Sequence, residues 1–167
     1  KRKLTELQCA TSQLTILAFF FAMRSCEDVK VTQQEKRRSE ILRLRNLQFF
    51  NNGRLVPHDD PNLEYSNCIN ITFEMQKKDE RDDSVTHWCT NHPILCPVRL
   101  WATIVKRIRS YLGTDDNTPV SAVWRNNRIE HITSKEIIDA INASAEAIGW
   151  DNLGVKKGDF GTHSIRS

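Results

Sequence analysis

Apolar residues recur densely from Leu4 to about Met23 with no glycine or proline between them, a pattern that predicts a buried first helix with Arg24 near its end. The pattern then changes. From Ile41 to Phe50, β-favouring apolar residues alternate loosely with Arg43, Arg45 and Gln48 and run into Asn51-Asn52-Gly53, which predicts a strand ending in a tight turn. Pro57 to Pro61 reads as loop. Cys68 to Gln76 reads as a second strand, Lys77 to Asp83 as a charged turn, and Ser84 to Trp88 as a third strand. Together these segments predict a small antiparallel sheet.

Helical spacing returns at Pro97, a residue suited to the first position of a helix. Val98, Trp101, Ile104, Val105, Ile108 and Leu112 follow at helical intervals with Lys106, Arg107 and Arg109 among them, and Gly113 is the expected stop. Asn126-Asn127 reads as a tight turn before Arg128 to Ile132. Thr133-x-x-Glu136 forms a capping box for a helix running through Ile148 and closed by Gly149. Asp151 to Gly161 carries three glycines and is expected to be a loop. Helices with one small antiparallel sheet make an α+β domain, mainly helical. No repeat or low-complexity segment interrupts it.

At 167 residues the chain is long enough for one well-buried core and too short for two, so a single domain over 1–167 is expected. Charged residues at 27% beside 39% hydrophobic ones argue against extensive disorder. A net charge of +3 says little about partners, so any nucleic-acid contact must come from local clusters. Such clusters are Lys1-Arg2-Lys3, Lys36-Arg37-Arg38, Lys106-Arg107-x-Arg109, Arg125 with Arg128, and Lys156-Lys157, though each taken singly also reads as a solvated face. Five cysteines, an odd number without a Cys-x-x-Cys pair, fit a reduced intracellular protein. The apolar run from Ile16 to Met23 is too short to cross a bilayer, and no membrane partner is expected. The chain opens without methionine, which suggests a fragment whose N-terminal signals were lost. His87, Cys89, His92 and Cys96 crowd together as ligands for a structural zinc would. Their spacing matches no standard finger, and small buried cysteines with a loop histidine are the favoured explanation. No metal or cofactor is assigned.

The last residues, His163-Ser164-Ile165-Arg166-Ser167, place an imidazole and a guanidinium one helical turn apart, after a Gly161-Thr162 turn and N-cap. Exposed amides of a first helical turn add positive potential there, which suits a phosphate. A solvated basic tail is the ordinary alternative. Upstream, the apolar segment Ala18 to Met23 ends in Arg24-Ser25-Cys26-Glu27, an Arg-x-x-Glu pattern, and Ile71 to Arg81 reads as a strand entering a lysine-bearing turn. These three elements, in this order, resemble the catalytic domain of the tyrosine recombinases, the phage-integrase family. The resemblance spans nearly the whole chain. The lysine turn and Cys96-Pro97-Val98-Arg99 look most like recombinases of eukaryotic mobile elements.

The resemblance implies an integrase-like catalytic core and site-specific DNA recombination by metal-free transesterification through a phosphotyrosine. It implies that Arg24 and Arg166 grip the non-bridging oxygens of the scissile phosphate, a task for a planar, permanently charged, bidentate donor. His163 would take part in proton transfer. Lys77, with Lys78 as the competing assignment, would protonate the leaving 5′-oxygen, and Glu27 would orient Arg24. Lys106, Arg107 and Arg109 are candidates for phosphate contacts. The implied partners are double-stranded DNA and, in a longer parent protein, further copies of the chain on that DNA; in a eukaryotic host the location would be the nucleus. Without the resemblance, Arg24 reads as a cap on helix carbonyls, Glu27 as a surface partner, and the lysines as charge balance for Asp79, Glu80, Asp82 and Asp83. The chain departs from the family: Tyr65 and Tyr111 are the only tyrosines, both precede the His-x-x-Arg motif, and the family's later His/Trp position is absent too. A partial catalytic domain is therefore expected, without the DNA-clamping domain or the tyrosine segment, and inactive alone. A decayed or domesticated module that only binds DNA or protein is the alternative.

Overall fold

The computed structural model describes residues 5–20, 41–74, 83–156 and 159. Helix α1 (Glu6–Phe20) opens on a reciprocal cap. The Gln8 amide donates to the Thr5 hydroxyl at 3.2 Å, and the Thr5 amide donates to the Gln8 side-chain oxygen at 2.9 Å. Ala10, Thr11, Leu14 and Leu17 are buried along one stripe, as the apolar spacing requires.

The four-stranded antiparallel sheet has the order β2-β1-β3-β4, with β1 (Leu47–Asn51), β2 (Arg54–Val56), β3 (Cys68–Phe73) and β4 (Asp83–Trp88). Leu47 and Phe49 of β1 face Ile71 and Ile69 of β3, and all four are buried on the core side. Asn52 and Gly53, at φ 49° and 77°, form the tight turn that returns the chain as the edge strand β2. The first strand begins later than the sequence pattern suggests. Residues 42–46 lie along 116–120 instead: Val120 donates to the Leu42 carbonyl at 3.0 Å and Leu44 to that of Thr118 at 3.0 Å. A 3-10 turn, Leu44–Asn46, then redirects the chain into β1.

Helix α2 (Pro97–Arg109) starts at the expected proline and buries Val98, Trp101, Ala102, Ile104, Val105 and Ile108. It stops at Ser110, whose amide reaches back to the Lys106 and Arg107 carbonyls. Leu112 is therefore not part of the helical face; it is 88% exposed, and Gly113 belongs to the turn beyond. A hairpin of β5 (Ala122–Arg125) and β6 (Arg128–His131) closes through Asn126 and Asn127 at φ 54° and 57°. Helix α3 (Ser134–Ile148) carries the full capping box between Thr133 and Glu136 and ends at Gly149, φ 96°. The next segment, expected as loop, begins with a short helix, α4 (Trp150–Leu153), ended by Gly154 in the left-handed region.

One hydrophobic cluster joins α1, the sheet, α2, the hairpin and Ile137 of α3, with Trp101 fully buried within it. The result is α+β, with four helices and two antiparallel sheets among the described residues. No helix among them is long and apolar enough to cross a membrane.

Candidate functional site

Six of the residues singled out by sequence, Arg24, Glu27, Lys77, Lys78, His163 and Arg166, lie outside the described residues. The elements that lead to them are described. Helix α1 runs to Phe20, just before Arg24, and α4 with Gly154 precedes His163 in the chain. Strands β3 and β4 are hydrogen-bonded neighbours whose last pair is Phe73 with Asp83, so Lys77 and Lys78 fall in the connection of an antiparallel strand pair.

The base of that connection is anchored. The Arg45 guanidinium donates from Nε and Nη2 to the two carboxylate oxygens of Glu74 at 2.8 and 2.9 Å, a parallel fork that fixes both groups. The Asn46 amide adds a bond to the same carboxylate at 2.8 Å. Glu74 is the residue immediately after β3, and its partners sit on the 3-10 turn before β1. Sequence reading missed this clamp, because nothing local links residues that far apart in the chain.

The basic side chains of α2 point to three different neighbours. Lys106 donates to the Pro61 carbonyl at 2.6 Å and to the Glu64 carboxylate. That bond to Lys106 holds the Glu64 carboxyl below its usual range. Arg107 donates to the Tyr111 hydroxyl at 2.8 Å and to the Ala122 carbonyl at 2.9 Å, tying α2 to the β5–β6 hairpin. Arg109 bonds the Asp116 carboxylate and, at 3.4 Å, the His58 ring, and the Arg109 contact lowers the Asp116 pKa. Each of the three is thus engaged in joining α2 to an adjacent loop or hairpin.

Tyr111 is held in the same way. Its hydroxyl donates to the Glu6 carboxylate while accepting from Arg107. Burial, followed by the Glu6 carboxylate, pushes its pKa up, which favours the neutral phenol over a nucleophilic phenolate. Tyr65 is 64% exposed at the end of the 3-10 turn Leu63–Tyr65.

On the sheet face turned from the core lies an open cleft of about 720 Å³, lined among others by Tyr65, Asn67, Asn70, Trp88, Cys89 and Arg99. Trp88 is 68% exposed there, and the Asn70 side-chain carbonyl is buried without a hydrogen-bond partner among the described residues.

The four possible zinc ligands do not assemble as a set. His87 pairs across to Ile69 on the side of the sheet facing the core, and burial lowers its pKa. His92 Nδ1 accepts the Ile94 and Leu95 amides at 3.2 and 2.9 Å, shaping the loop it sits in. Cys89 and Cys96 alone come together, their sulfurs 3.5 Å apart. Among the described residues no group of three or more histidine, cysteine, aspartate or glutamate side chains is arranged to hold a metal ion.

Comparison with known protein families, with curated proteins and with solved structures finds no match to this chain.

Proposed function

We propose that this chain is the greater part of a catalytic domain that breaks and rejoins double-stranded DNA in the manner of the tyrosine recombinases. The observation that carries the reading is the order of Arg24-x-x-Glu27, the lysine-bearing Lys77-Lys78 segment and His163-x-x-Arg166 along the chain. It is supported by the antiparallel pairing of β3 and β4, which flank the lysines as a hairpin would. In this reading Arg24 and Arg166 neutralise the charge that grows on the phosphate in the transition state, where two bidentate donors act more strongly than in the ground state. His163 moves a proton at the phosphate, Lys77 or Lys78 delivers one to the departing 5′-oxygen, and Glu27 aligns Arg24.

The nucleophile must come from outside these residues. Tyr111 is committed to Glu6 and Arg107, and neither tyrosine follows the His-x-x-Arg motif. Longer forms of the protein would act as several copies on one DNA, each supplying a catalytic set.

Binding to duplex DNA tests the first requirement. Affinity is expected at low salt and should fall steeply as salt rises, because phosphate contacts release counterions. An absence of binding at low salt, or binding indifferent to salt, would contradict the reading. Covalent capture of DNA by a form containing the tyrosine separates strand exchange from a module that only binds.

A further inference from the structure

The two sulfurs of Cys89 and Cys96 lie 3.5 Å apart, one just past the end of β4 and the other at the N-cap of α2. Both thiols are free. Cys96 is 1% exposed, whereas Cys89 is half-buried and open to small reagents from the side of the cleft. Forming a disulfide would bring the sulfurs to ~2.05 Å, a closure of roughly 1.5 Å. The loop between them is already turned back on itself: Asn91 sits at φ 58°, and His92 Nδ1 gathers the Ile94 and Leu95 amides. The backbone thus brings the pair together without a bond between them.

The surroundings favour reaction at this pair. Burial raises the pKa of the Cys96 thiol, but the backbone amides of Arg99 and Thr90 and the Cys89 thiol outweigh it, so the thiol ionises below its ordinary range. A thiolate at the start of a helix also lies at the positive end of its dipole.

We propose that Cys89 and Cys96 form a thiol–disulfide exchange site that low-molecular-weight disulfides of the glutathione class oxidise to an intramolecular disulfide. Deprotonated Cys89 attacks one sulfur of the small disulfide, forming a mixed disulfide and expelling one small thiolate. The Cys96 thiolate then attacks the Cys89 sulfur and expels the second. Two protein thiols are oxidised, one small disulfide is reduced to two small thiols, and both protons leave with those thiols. The bond ties the end of β4 to the start of α2 and fixes the loop that borders the cleft. This inference is independent of the proposed DNA chemistry.

The test is incubation of the folded protein with glutathione disulfide, followed by peptide mapping without reductant. The Cys89–Cys96 cross-link is expected to form at least about tenfold faster than glutathione adds to Cys9, the half-buried thiol on α1. In Cys96→Ser the glutathione adduct on Cys89 should persist, since nothing remains to expel it. In Cys89→Ser, Cys96 should stay reduced, because no reagent reaches it. Wild-type mapping alone decides the matter if either variant fails to fold. The proposal is overturned if the cross-link is absent, if it forms no faster than the Cys9 adduct, or if Cys89 pairs with another cysteine instead.

Discussion

Arg125 joins β5, β6 and the first turn of α3 through a single guanidinium that pairs with both Glu130 and Glu136. Glu130, bonded first by Arg128, then by Asn126 and Arg125, is pulled down to about 2. Burial would raise the Glu136 pKa, but its bonds to Arg125 and Thr133 prevail and lower it. Carboxyls depressed on folding stabilise the protein fully above their ordinary value of 4.5, and that contribution is lost as pH falls from there towards about 2. Thermal melts across acid pH should therefore show Arg125→Met furthest below wild type at neutral pH, with the gap closing through that window; a gap that widens on acidification would contradict the pairing. Glu74 makes a separate pair, with Arg45. Because its ion pair with Arg45 is about one-third exposed, Glu74→Gln is expected to cost at most about 1 kcal/mol of stability. In a tyrosine-containing form it should slow DNA cleavage more than it weakens binding, since it adjoins the connection bearing Lys77 and Lys78. Denaturant titration and cleavage rates check this, and unchanged cleavage would remove Glu74 from any positioning role.

At the scale of elements, the features legible from sequence are those whose two halves are local. The Thr133–Glu136 box, the Asn52-Gly53 turn and the Asn126-Asn127 turn all appear as expected, because each is decided within four residues. Thr133→Ala should cost about 1 kcal/mol. Gly149→Ala should also destabilise, because φ is 96°, a backbone conformation that strains any residue with a Cβ. Urea unfolding of both variants measures these losses, and a neutral Thr133→Ala would show that α3 does not depend on its cap. Elements decided by distant partners were not legible. The end of α2 is a separate case: helical spacing runs on to Leu112, whereas the helix ends at Arg109. The segment expected to begin β1 is drawn away by the backbone of 116–120. The outward ties of Lys106, Arg107 and Arg109 escape a sequence reading for the same reason: their partners lie on a loop, a hairpin and a turn that only folding brings near.

For the whole molecule, a core centred on Trp101 joins the helices to the sheet, and Trp101→Ala should cost about 3–5 kcal/mol, read from denaturant midpoints. The candidate catalytic set is legible only as a resemblance in the order of motifs, since Arg24, Lys77, His163 and Arg166 are too far apart in the chain for any local pattern to unite them. The measurement that tests their union most directly is the rate at which a tyrosine-containing form becomes covalently joined to nicked duplex DNA in the presence of a metal chelator. The covalent complex is expected to form, and Arg166→Lys to slow it by roughly a hundredfold or more, the loss of ~3 kcal/mol expected when one transition-state donor is removed, while DNA affinity changes much less. A cleavage rate untouched by Arg166→Lys, or a fall in cleavage matched by an equal fall in binding, would contradict their union.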